Sequence, residues 1–588
     1  MHLPKQYDSA KALEQYLGDP SNTNNVFSFK SAVELDEREE YPEEACQLLE
    51  QWNFHHYYIP AAYGGKLTSY EEMLALMRVV ARRDLTAAIG HGKTYLGSVC
   101  VWVGGHEEQK HALAALLKNR VQVALGLTEK AHGSDLLANE VRVTPVQDGY
   151  QLSGEKWLIN NATRGRALTV FTQTDAKRGA RGFSLFLVDK ALLEPSSYVH
   201  LPKVKTHGIR GADISGIRFH ECYIPHHALI GSLGSGLEIV LEGLQITRMM
   251  CASLSLGAAD TALRTTLHFA RARQLYGDTV VAIPYARSML VDAFIDLLIC
   301  DCAATAAARA LHAATEQMSL WSAVIKHFVP TTIEKVMHNL SVVLGARYYL
   351  REGHWEGIFQ KMVRDNALVS LFDGSTVVNV HAIALQLRQL ATYRAKRASH
   401  VSKELLSCLE GIFSLEKPLP DLDLRNLTLS NRGRDDVVQG IETSLARLDI
   451  LCKDVNTALL KDITDLTTMM LEVLNLQENI LKDIPTTKIY HEPPELFSLA
   501  KQYCVLHAAA ACLHMWLYNR KHLGNFFAQG EWLVLCLHRL MMTFQPSLKP
   551  PSSADRDNIA QELQRLYDED RLFSIVPFEL ARTTQKTV

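Results

Sequence analysis

The sequence predicts a mainly α-helical fold with a β insert, followed by an additional helical segment. Two observations predict this fold class. The spacing of apolar residues changes from a helical period to a period of two and back again along the chain. The 588 residues also exceed what three such segments need, and the surplus is again helical in pattern. We therefore expect four parts, at residues 1–120, 121–235, 236–397 and 398–588.

The first part, residues 1–120, is predicted to be a helical domain. Apolar residues recur at helical spacing from Ala32 to about Leu117, for example along Met73–Val80. One interruption, Ile59–Gly65, contains a proline and two glycines and is typical of a turn. The pattern therefore predicts helices joined by a tight loop.

Residues 121–235 are predicted to form a small β domain. Apolar and polar residues alternate here, and Gly, Asp and Ser separate the alternating runs. This pattern is typical of strands that bury one face. The alternating apolar positions are Val141 and Val143, Tyr150 and Leu152, Leu168 and Val170, and Phe183, Leu185 and Leu187.

Helical patterns return after residue 235. Long stretches rich in Ala and Leu between 236 and 397, such as Leu290–Ala314, predict a helical bundle. Residues 398–588 are again helical in pattern, with joints that contain proline. These joints lie at Pro418–Pro420, Pro485, Pro493–Pro494 and Pro546–Pro551.

Composition and charge exclude several classes of protein. The 61 Lys+Arg nearly balance the 64 Asp+Glu, so we expect no nucleic-acid partner. Eleven cysteines without a CxxC spacing argue against a disulfide frame and a zinc site, and no metal is predicted. The N-terminal segment contains Lys5, Asp8, Lys11 and Glu14 and no apolar run, which is typical of a cytoplasmic protein.

Two apolar segments near the C-terminus, Tyr503–Leu517 and Trp532–Phe544, have two interpretations. They could be buried against the bundle or a partner subunit, or they could lie on a membrane surface. Flanking charges of mixed sign favour burial. The weakly charged run Gln502–Asn519 reaches the minimum length of a membrane span, but His507 and His514 fit a buried helix better.

Three segments contain residues suited to chemistry. Leu127–Asp135 can offer backbone amides and hydroxyls to a planar polar ring or a phosphate. Gly154–Asn161 follows one strand later, and Arg364–Thr376 lies in the predicted bundle. Two glycine-rich motifs are set aside: Gly90–Thr94 lacks the first glycine of a phosphate-binding loop, and Gly231–Gly236 lacks the dinucleotide-binding order.

The order and spacing of these motifs resemble the acyl-CoA dehydrogenase family, over residues from about 30 to 397. The family's P-x-x-Y-G-G, G-x-x-x-Q-K, T-E-x-x-x-G-S-D, T-R and R-x-x-[FY]-G motifs are all present. They stand at Pro60–Gly65, Gly105–Lys110, Thr128–Asp135, Thr247–Arg248 and Arg273–Gly277, with further matches at His207–Ala212, Tyr223–Pro225 and the acidic turn Asp373–Gly374.

The resemblance implies a helical domain, a β-barrel or sandwich domain, a four-helix bundle and an extra helical domain like that of the very-long-chain and alkylation-response branches. It implies FAD-dependent α,β-dehydrogenation of an acyl thioester, on coenzyme A or an acyl carrier protein. It also implies an acceptor such as an electron-transferring flavoprotein, and a homodimer in which Arg273 and Tyr276 reach the neighbouring subunit's FAD. The implied FAD contacts are Leu127, Thr128, Ser134, Ile159, Asn160, Arg273, Tyr276, Ser341, Gly345 and Ser375, and the implied substrate contacts are Ser134, Arg248 and Gly374.

Asp373 is the implied catalytic base. Family members remove the α-proton of the thioester with a carboxylate, usually Glu, and pass the β-hydrogen as hydride to the flavin. Because that α-proton is weakly acidic, the site needs a base in contact and donors to the enolate oxygen. The base position of some other branches is Thr247 here, which cannot serve. Asp373 could also cap a helix beginning near Val377, and Arg248 could be a surface charge.

Departures from the family pattern leave a second hypothesis open. The W-I-[TS]-N segment reads Leu158–Asn161, with Trp157 one place early, and the Q-x-x-G-G segment reads Ser341–Gly345. Lys130 replaces the usual proline of the T-E loop. The alternative is a flavoprotein of this fold with a divergent flavin reaction, or with an assembly or protective role.

Overall fold

A computed structural model describes residues 4–397, 403–454, 457–486, 488 and 491–582 of the chain. These residues are mainly helical, as predicted. The helices are α1 (Asp8–Leu17), α2 (Phe29–Glu37), α3 (Glu43–Gln51), α4 (Tyr70–Ala81), α5 (Leu85–Gly104), α6 (Glu107–Lys118), α7 (Gly236–Ala272), α8 (Pro284–Ala313), α9 (Met318–Leu344), α10 (Ile358–Asn366), α11 (Thr376–Arg397), α12 (Lys403–Phe413), α13 (Asp436–Gln439), α14 (Ile441–Asp454), α15 (Ala458–Asp483), α16 (Pro494–Asn519), α17 (Asn525–Gln529), α18 (Glu531–Met541) and α19 (Ser553–Asp568).

Eight of the ten strands in the described residues lie within the predicted β domain, residues 121–235, and the last two lie in the part predicted to be a helical bundle. The strands are β1 (Val123–Gly126), β2 (Arg142–Val146), β3 (Gly149–Asn160), β4 (Ala167–Gln173), β5 (Phe183–Asp189), β6 (Tyr198–Leu201), β7 (Ile214–Pro225), β8 (Leu229–Ile230), β9 (Gln274–Leu275) and β10 (Asp278–Thr279). The first eight form one sheet in the order β6-β7-β3-β2-β4-β5-β8, with β1 paired to β4, and β9 and β10 form a separate hairpin.

Contacts divide the chain into two compact units. The first unit comprises Met1–Asp19, Ser69–Arg82 and Arg248–Val588, and the second comprises Pro20–Thr68 and Arg83–Thr247. Helix α7 contributes residues to both units, with the division after Thr247. The four segment boundaries drawn from the sequence stay a prediction.

The second unit is built around the sheet and helix α5. Asp84 starts this helix, because its carboxylate accepts hydrogen bonds from the backbone N–H groups of Thr86 and Ala87. The alternating residues of β2 and β3 are buried in one core, as their period of two predicts. Strand β4 is buried on both faces, because α5 packs against it and the Thr169 hydroxyl donates to the Gly97 carbonyl at 2.7 Å.

The first unit has the helical bundle at its centre. Helices α8, α9 and α11 pack together, and α16 and α18 of the C-terminal part pack against α8. The apolar segments of α16 and α18 are buried by these contacts, from Tyr503 to Leu517 and from Trp532 to Met541. Within the part of the chain that the structure describes, two helices, α7 and α16, are long and apolar enough to cross a membrane, but 89% and 72% of their most apolar windows are buried inside the protein.

Residues 571–582, which we call the C-terminal strap, insert into the core of the first unit. The backbone N–H groups of Phe573 and Ile575 donate to the carboxylates of Asp260 on α7 and Asp301 on α8, at 3.0 and 2.9 Å. Arg78 donates to the Phe573 carbonyl at 2.7 Å, and the Phe573 ring is fully buried. The last part of the extension is therefore part of the core.

Candidate active site

Asp373 lies on a short loop between α10 and α11 of the first unit. Its backbone adopts the left-handed region at φ 52°, followed by Gly374 at φ 95°. The Ser370 carbonyl closes the loop by accepting from the Thr376 N–H at 3.0 Å. Helix α11 begins at Thr376, so the residue directly before it is Ser375, and Asp373 stands two places further back. A left-handed aspartate beside a glycine is an uncommon conformation that often marks a functional loop.

Two side chains of helix α7 contact this aspartate. Arg248 Nε donates to the Asp373 carbonyl at 3.0 Å, and Cys251 Sγ lies 3.8 Å from Asp373 Oδ2. Burial lowers the pKa of Arg248, and the nearby Asp373 carboxylate opposes that shift. A β-carbon added at Gly374 would lie 3.0 Å from Arg248 Nε and Nη2, which explains the glycine. The geometry makes Arg248 a loop contact rather than only a surface charge.

A buried lysine supports the same loop from helix α9. Lys326 is fully buried, and its ammonium donates to the Val369 carbonyl and lies 5.1 Å from the centre of the Phe372 ring. The sequence analysis missed Lys326 and Cys251. Their signal in the sequence is weak, since a lysine in an apolar helix and a cysteine three residues after an arginine are both common.

In the second unit, Lys156 organises the loop that contains Leu127 and Thr128. Its fully buried ammonium donates to the Leu127 carbonyl at 3.1 Å, to Glu129 Oε1 at 2.8 Å and to Asn139 Oδ1 at 2.6 Å. Burial lowers the pKa of Lys156 to about 8, against the attraction of Glu129. Burial would raise the pKa of Glu129, but Lys156 and two backbone N–H groups lower it overall.

A β-bulge in strand β3 explains the displaced tryptophan. Trp157 pairs with Gly216 and Ile159 with Ser215, so Leu158 is an extra residue in β3, and its φ is 61°. The bulge shifts the alternation by one place. Lys156 and Ile159 therefore share the buried face, and Trp157 shares the other face with Asn160.

The residues implied to hold FAD in the second unit fit such a ligand. Asn160 Oδ1 is buried without a hydrogen-bond partner, while Thr128 is half-buried and Ser134 is exposed. Unsatisfied buried polar atoms are uncommon and are typical of a site that binds a polar group. The Ile159 side chain lies in the core, so only its backbone can serve a ligand.

The other predicted site residues of the first unit lie on separate elements. Arg273 and Tyr276 lie at the β9–β10 hairpin, where the Tyr276 ring is 99% exposed. Ser341 and Gly345 lie at the C-terminal end of α9, and the Ser341 hydroxyl donates to the His338 carbonyl at 2.6 Å. The structure thus groups Arg248 with the Asp373–Ser375 loop in the first unit, and Leu127 and Thr128 with β3 in the second.

Three models of one protein family match successive parts of the chain. They are the acyl-CoA dehydrogenase N-terminal, middle and C-terminal domains, over residues 28–118, 124–222 and 234–387. Together they cover more than half of the chain. The protein therefore belongs to the acyl-CoA dehydrogenase family, which is a family of FAD-dependent oxidoreductases. The predicted family, FAD cofactor and oxidoreductase class are confirmed, and an acyl thioester substrate fits this membership.

One relative is similar in sequence, and two solved structures are similar in fold. A probable acyl-CoA dehydrogenase of Mycobacterium tuberculosis is 26% identical over 377 residues, which are 64% of this chain and 94% of the relative. The structure of butyryl-CoA dehydrogenase from Megasphaera elsdenii has a TM-score of 0.59 at 21% identity, covering 65% of this chain and 98% of that one. The prolyl acyl carrier protein oxidase AnaB has a TM-score of 0.60 at 19% identity, covering 66% and 100%.

Proposed function

We propose that Asp373 removes the α-proton of an acyl thioester in an FAD-dependent α,β-dehydrogenation. The observation that supports this most strongly is the Asp373 loop, where a left-handed carboxylate residue is held on its main chain by Arg248. By resemblance, Asp373 matches the position of the family's base in the bundle. When bound, FAD supplies the acceptor for the β-hydride.

The residues around the base suit proton removal. A thioester α-proton is a weak acid, so a base must be held in contact with it and in a fixed direction. Arg248 holds the backbone of Asp373, and Lys326 holds the preceding turn through the Val369 carbonyl. Aspartate is one methylene shorter than the usual glutamate, so the loop itself must bring the carboxylate to the substrate.

Residues of the second unit would hold part of the cofactor. Asn160 offers a buried polar atom without a partner in the described structure, and Trp157 lies on the Asn160 face of β3. Lys156 fixes the loop from which the Leu127 and Thr128 backbone is presented. We assign these residues to orientation of the isoalloxazine ring, which is what family resemblance implies for their positions.

The proposal also includes a second subunit, an electron acceptor, a cellular location and the absence of membrane contact. The exposed Arg273 and Tyr276 hairpin supports a homodimer, in which it would reach the FAD of the second subunit. The acceptor would be an electron-transferring flavoprotein. Eleven free cysteines support a reducing, cytoplasmic location. Burial of the 503–517 and 532–541 segments supports packing against the bundle rather than contact with a membrane surface.

Anaerobic titration of the FAD-loaded protein tests the proposal. Straight-chain acyl-CoA thioesters from butyryl to stearoyl, and the same acyl groups on an acyl carrier protein, would be added while flavin absorbance is followed. We expect at least one series to bleach the flavin, and the better series identifies the carrier. Bleaching by none of them would favour the alternative of a divergent or non-catalytic flavoprotein.

The base itself is tested by substitution. Asp373→Asn is nearly isosteric and cannot accept the proton, so we expect flavin reduction to slow by about 10²–10⁴-fold. Asp373→Glu restores the family's residue and is the matched control, expected to retain reduction. An Asp373→Asn protein that is reduced as fast as the original would overturn the assignment.

A further inference from the structure

Helix α7 contacts Asp373 at two separate atoms. Arg248 and Cys251 are three residues apart, so they lie on the same face of the helix. Arg248 Nε reaches the Asp373 carbonyl, while Cys251 Sγ lies 3.8 Å from carboxylate atom Oδ2. The Cys251 side chain is buried, at 3% exposure. One turn of helix therefore contacts both the backbone and the carboxylate of the same residue.

The polar side chains of α7 and α9 that contact this loop include two cations and one neutral group. Arg248 on α7 is cationic and donates to the backbone, and Lys326 on α9 is cationic and donates to the Val369 carbonyl. Cys251 contacts the carboxylate itself, and a thiol is a weak hydrogen-bond donor without charge. It can orient the carboxylate without neutralising it, so the basicity needed for proton removal is kept.

We infer that Cys251 is a positioning residue for the base, whose thiol holds the Asp373 carboxylate in the direction required for α-proton removal. The inference rests on the proposed function, because it takes Asp373 as the base. The side chain of Asp373 is one methylene shorter than the family's usual glutamate, so it can compensate less for a misplaced backbone. Small errors in the direction of the carboxylate slow proton transfer strongly. Arg248 holds the backbone of Asp373, and the loop therefore also needs a side chain that fixes the rotation of the carboxylate.

The contact can be measured without any substrate. The FAD-loaded full chain would be alkylated with iodoacetamide over a pH range, and labelling of the Cys251 peptide quantified by mass spectrometry. In Asp373→Asn the negative charge beside the thiol is gone, so we expect the pH midpoint of Cys251 labelling to fall by about half a unit or more. Cys452, which is partly exposed on α14, serves as the internal control. An unchanged Cys251 midpoint would contradict the contact.

The positioning role is measured by the pH dependence of flavin reduction. Cys251→Ser keeps a donor, whereas Cys251→Val keeps the bulk and loses the donor. For Cys251→Val we expect reduction by a saturating acyl-CoA to be slower by about threefold to tenfold, the effect of one lost hydrogen bond. The midpoint pH on the acid side of the rate profile of Cys251→Val should rise, because a hydrogen-bond donor to the ionised Asp373 carboxylate is missing. Cys251→Ser should stay within about twofold of the original protein.

The outcomes separate this inference from the proposed function. If Asp373→Asn abolishes reduction but Cys251→Val has an unchanged rate and pH profile, then Asp373 is the base and the inference about Cys251 is wrong. If Asp373→Asn is reduced normally, or no acyl thioester reduces the original protein, both fail. If Cys251→Val differs from the original protein in melting temperature but has the same pH profile of flavin reduction, then Cys251 only fills the core. That result also overturns the inference.

Discussion

Lys156 shows how a single buried side chain organises the β-domain part of the site. Its ammonium meets three acceptors, one of them the carboxylate of Glu129, inside an apolar sheet. Desolvating an ammonium is unfavourable, and the ion pair and hydrogen bonds offset that only while every partner is present. The loop from Leu127 to Glu129 is therefore fixed by electrostatics as much as by packing.

Replacing this lysine should loosen the loop. Lys156→Met leaves Glu129 buried without its cation, so we expect a loss of about 3–5 kcal/mol in the free energy of unfolding, with loss of FAD on dialysis. Thermal unfolding and the ratio of flavin to protein absorbance measure both effects.

The double variant Lys156→Met with Glu129→Gln is the control, because it removes the uncompensated charge. It should regain part of the stability lost in the single variant. A Lys156→Met protein that keeps its melting temperature and its FAD would show that Lys156 has no organising role.

At the scale of one element, the bulge in β3 accommodates an additional residue without disturbing the sheet's faces. Leu158 adopts a left-handed backbone conformation, which is unfavourable for a branched residue. Because Leu158 is the extra residue of the bulge, Trp157 and Asn160 remain on the same face of β3. Trp157 therefore stands one place earlier in the sequence than the tryptophan of the family motif, but it still lies on the same face of the strand as Asn160.

Deletion of Leu158 should be tolerated. The shortened strand would read Lys156, Trp157, Ile159 and Asn160 in regular alternation, so the buried face would be kept and the left-handed residue removed. We expect FAD content and flavin fluorescence to match those of the original protein.

Deletion of Trp157 is the matched control, since it gives a strand of the same length without the indole. We expect that variant to keep the fold and to show weaker quenching of flavin fluorescence. If the Leu158 deletion loses FAD while the Trp157 deletion retains it, the account of the bulge is wrong.

At the scale of the whole molecule, the C-terminal strap joins the end of the chain to the helices of the family bundle. Asp260 and Asp301 are buried acids, and each accepts a backbone N–H group of the strap. Arg264 on α7 stacks 4.3 Å from the centre of the Phe573 ring and donates to the Arg571 carbonyl. Two buried acids of the bundle are thus partnered by the C-terminal strap.

Phe573→Ala should destabilise the protein strongly, because a fully buried ring leaves a cavity next to these charges. We expect a loss of about 3–5 kcal/mol, measured by thermal or denaturant unfolding. Leu476→Ala on α15, where the side chain is 59% exposed, is the control and should change stability by less than about 0.5 kcal/mol. Equal stabilities of the two variants would contradict the strap's place in the core.

Much of the fold could be predicted from the sequence. The periods of 3.6 and 2 identify the helical and β segments, since they report which face of each element is buried. The motifs from Pro60 to Gly374 identify the family, and Asp373 as the base candidate, because glycines and charged residues at fixed spacing are constrained by the ligand.

Other features were decided only by the tertiary structure. The local sequence around Cys251, Lys156, Lys326 and the C-terminal strap does not predict which carboxylates and carbonyls these residues contact. The Asp373 and Cys251 side chains are 122 residues apart in sequence and 3.8 Å apart in space. Periodicity reports burial of a face, whereas partners across such separations are set by how the helices and strands pack. The sequence by itself determined the family, the segment types and the candidate base, and the packing determined which side chains hold that candidate in place.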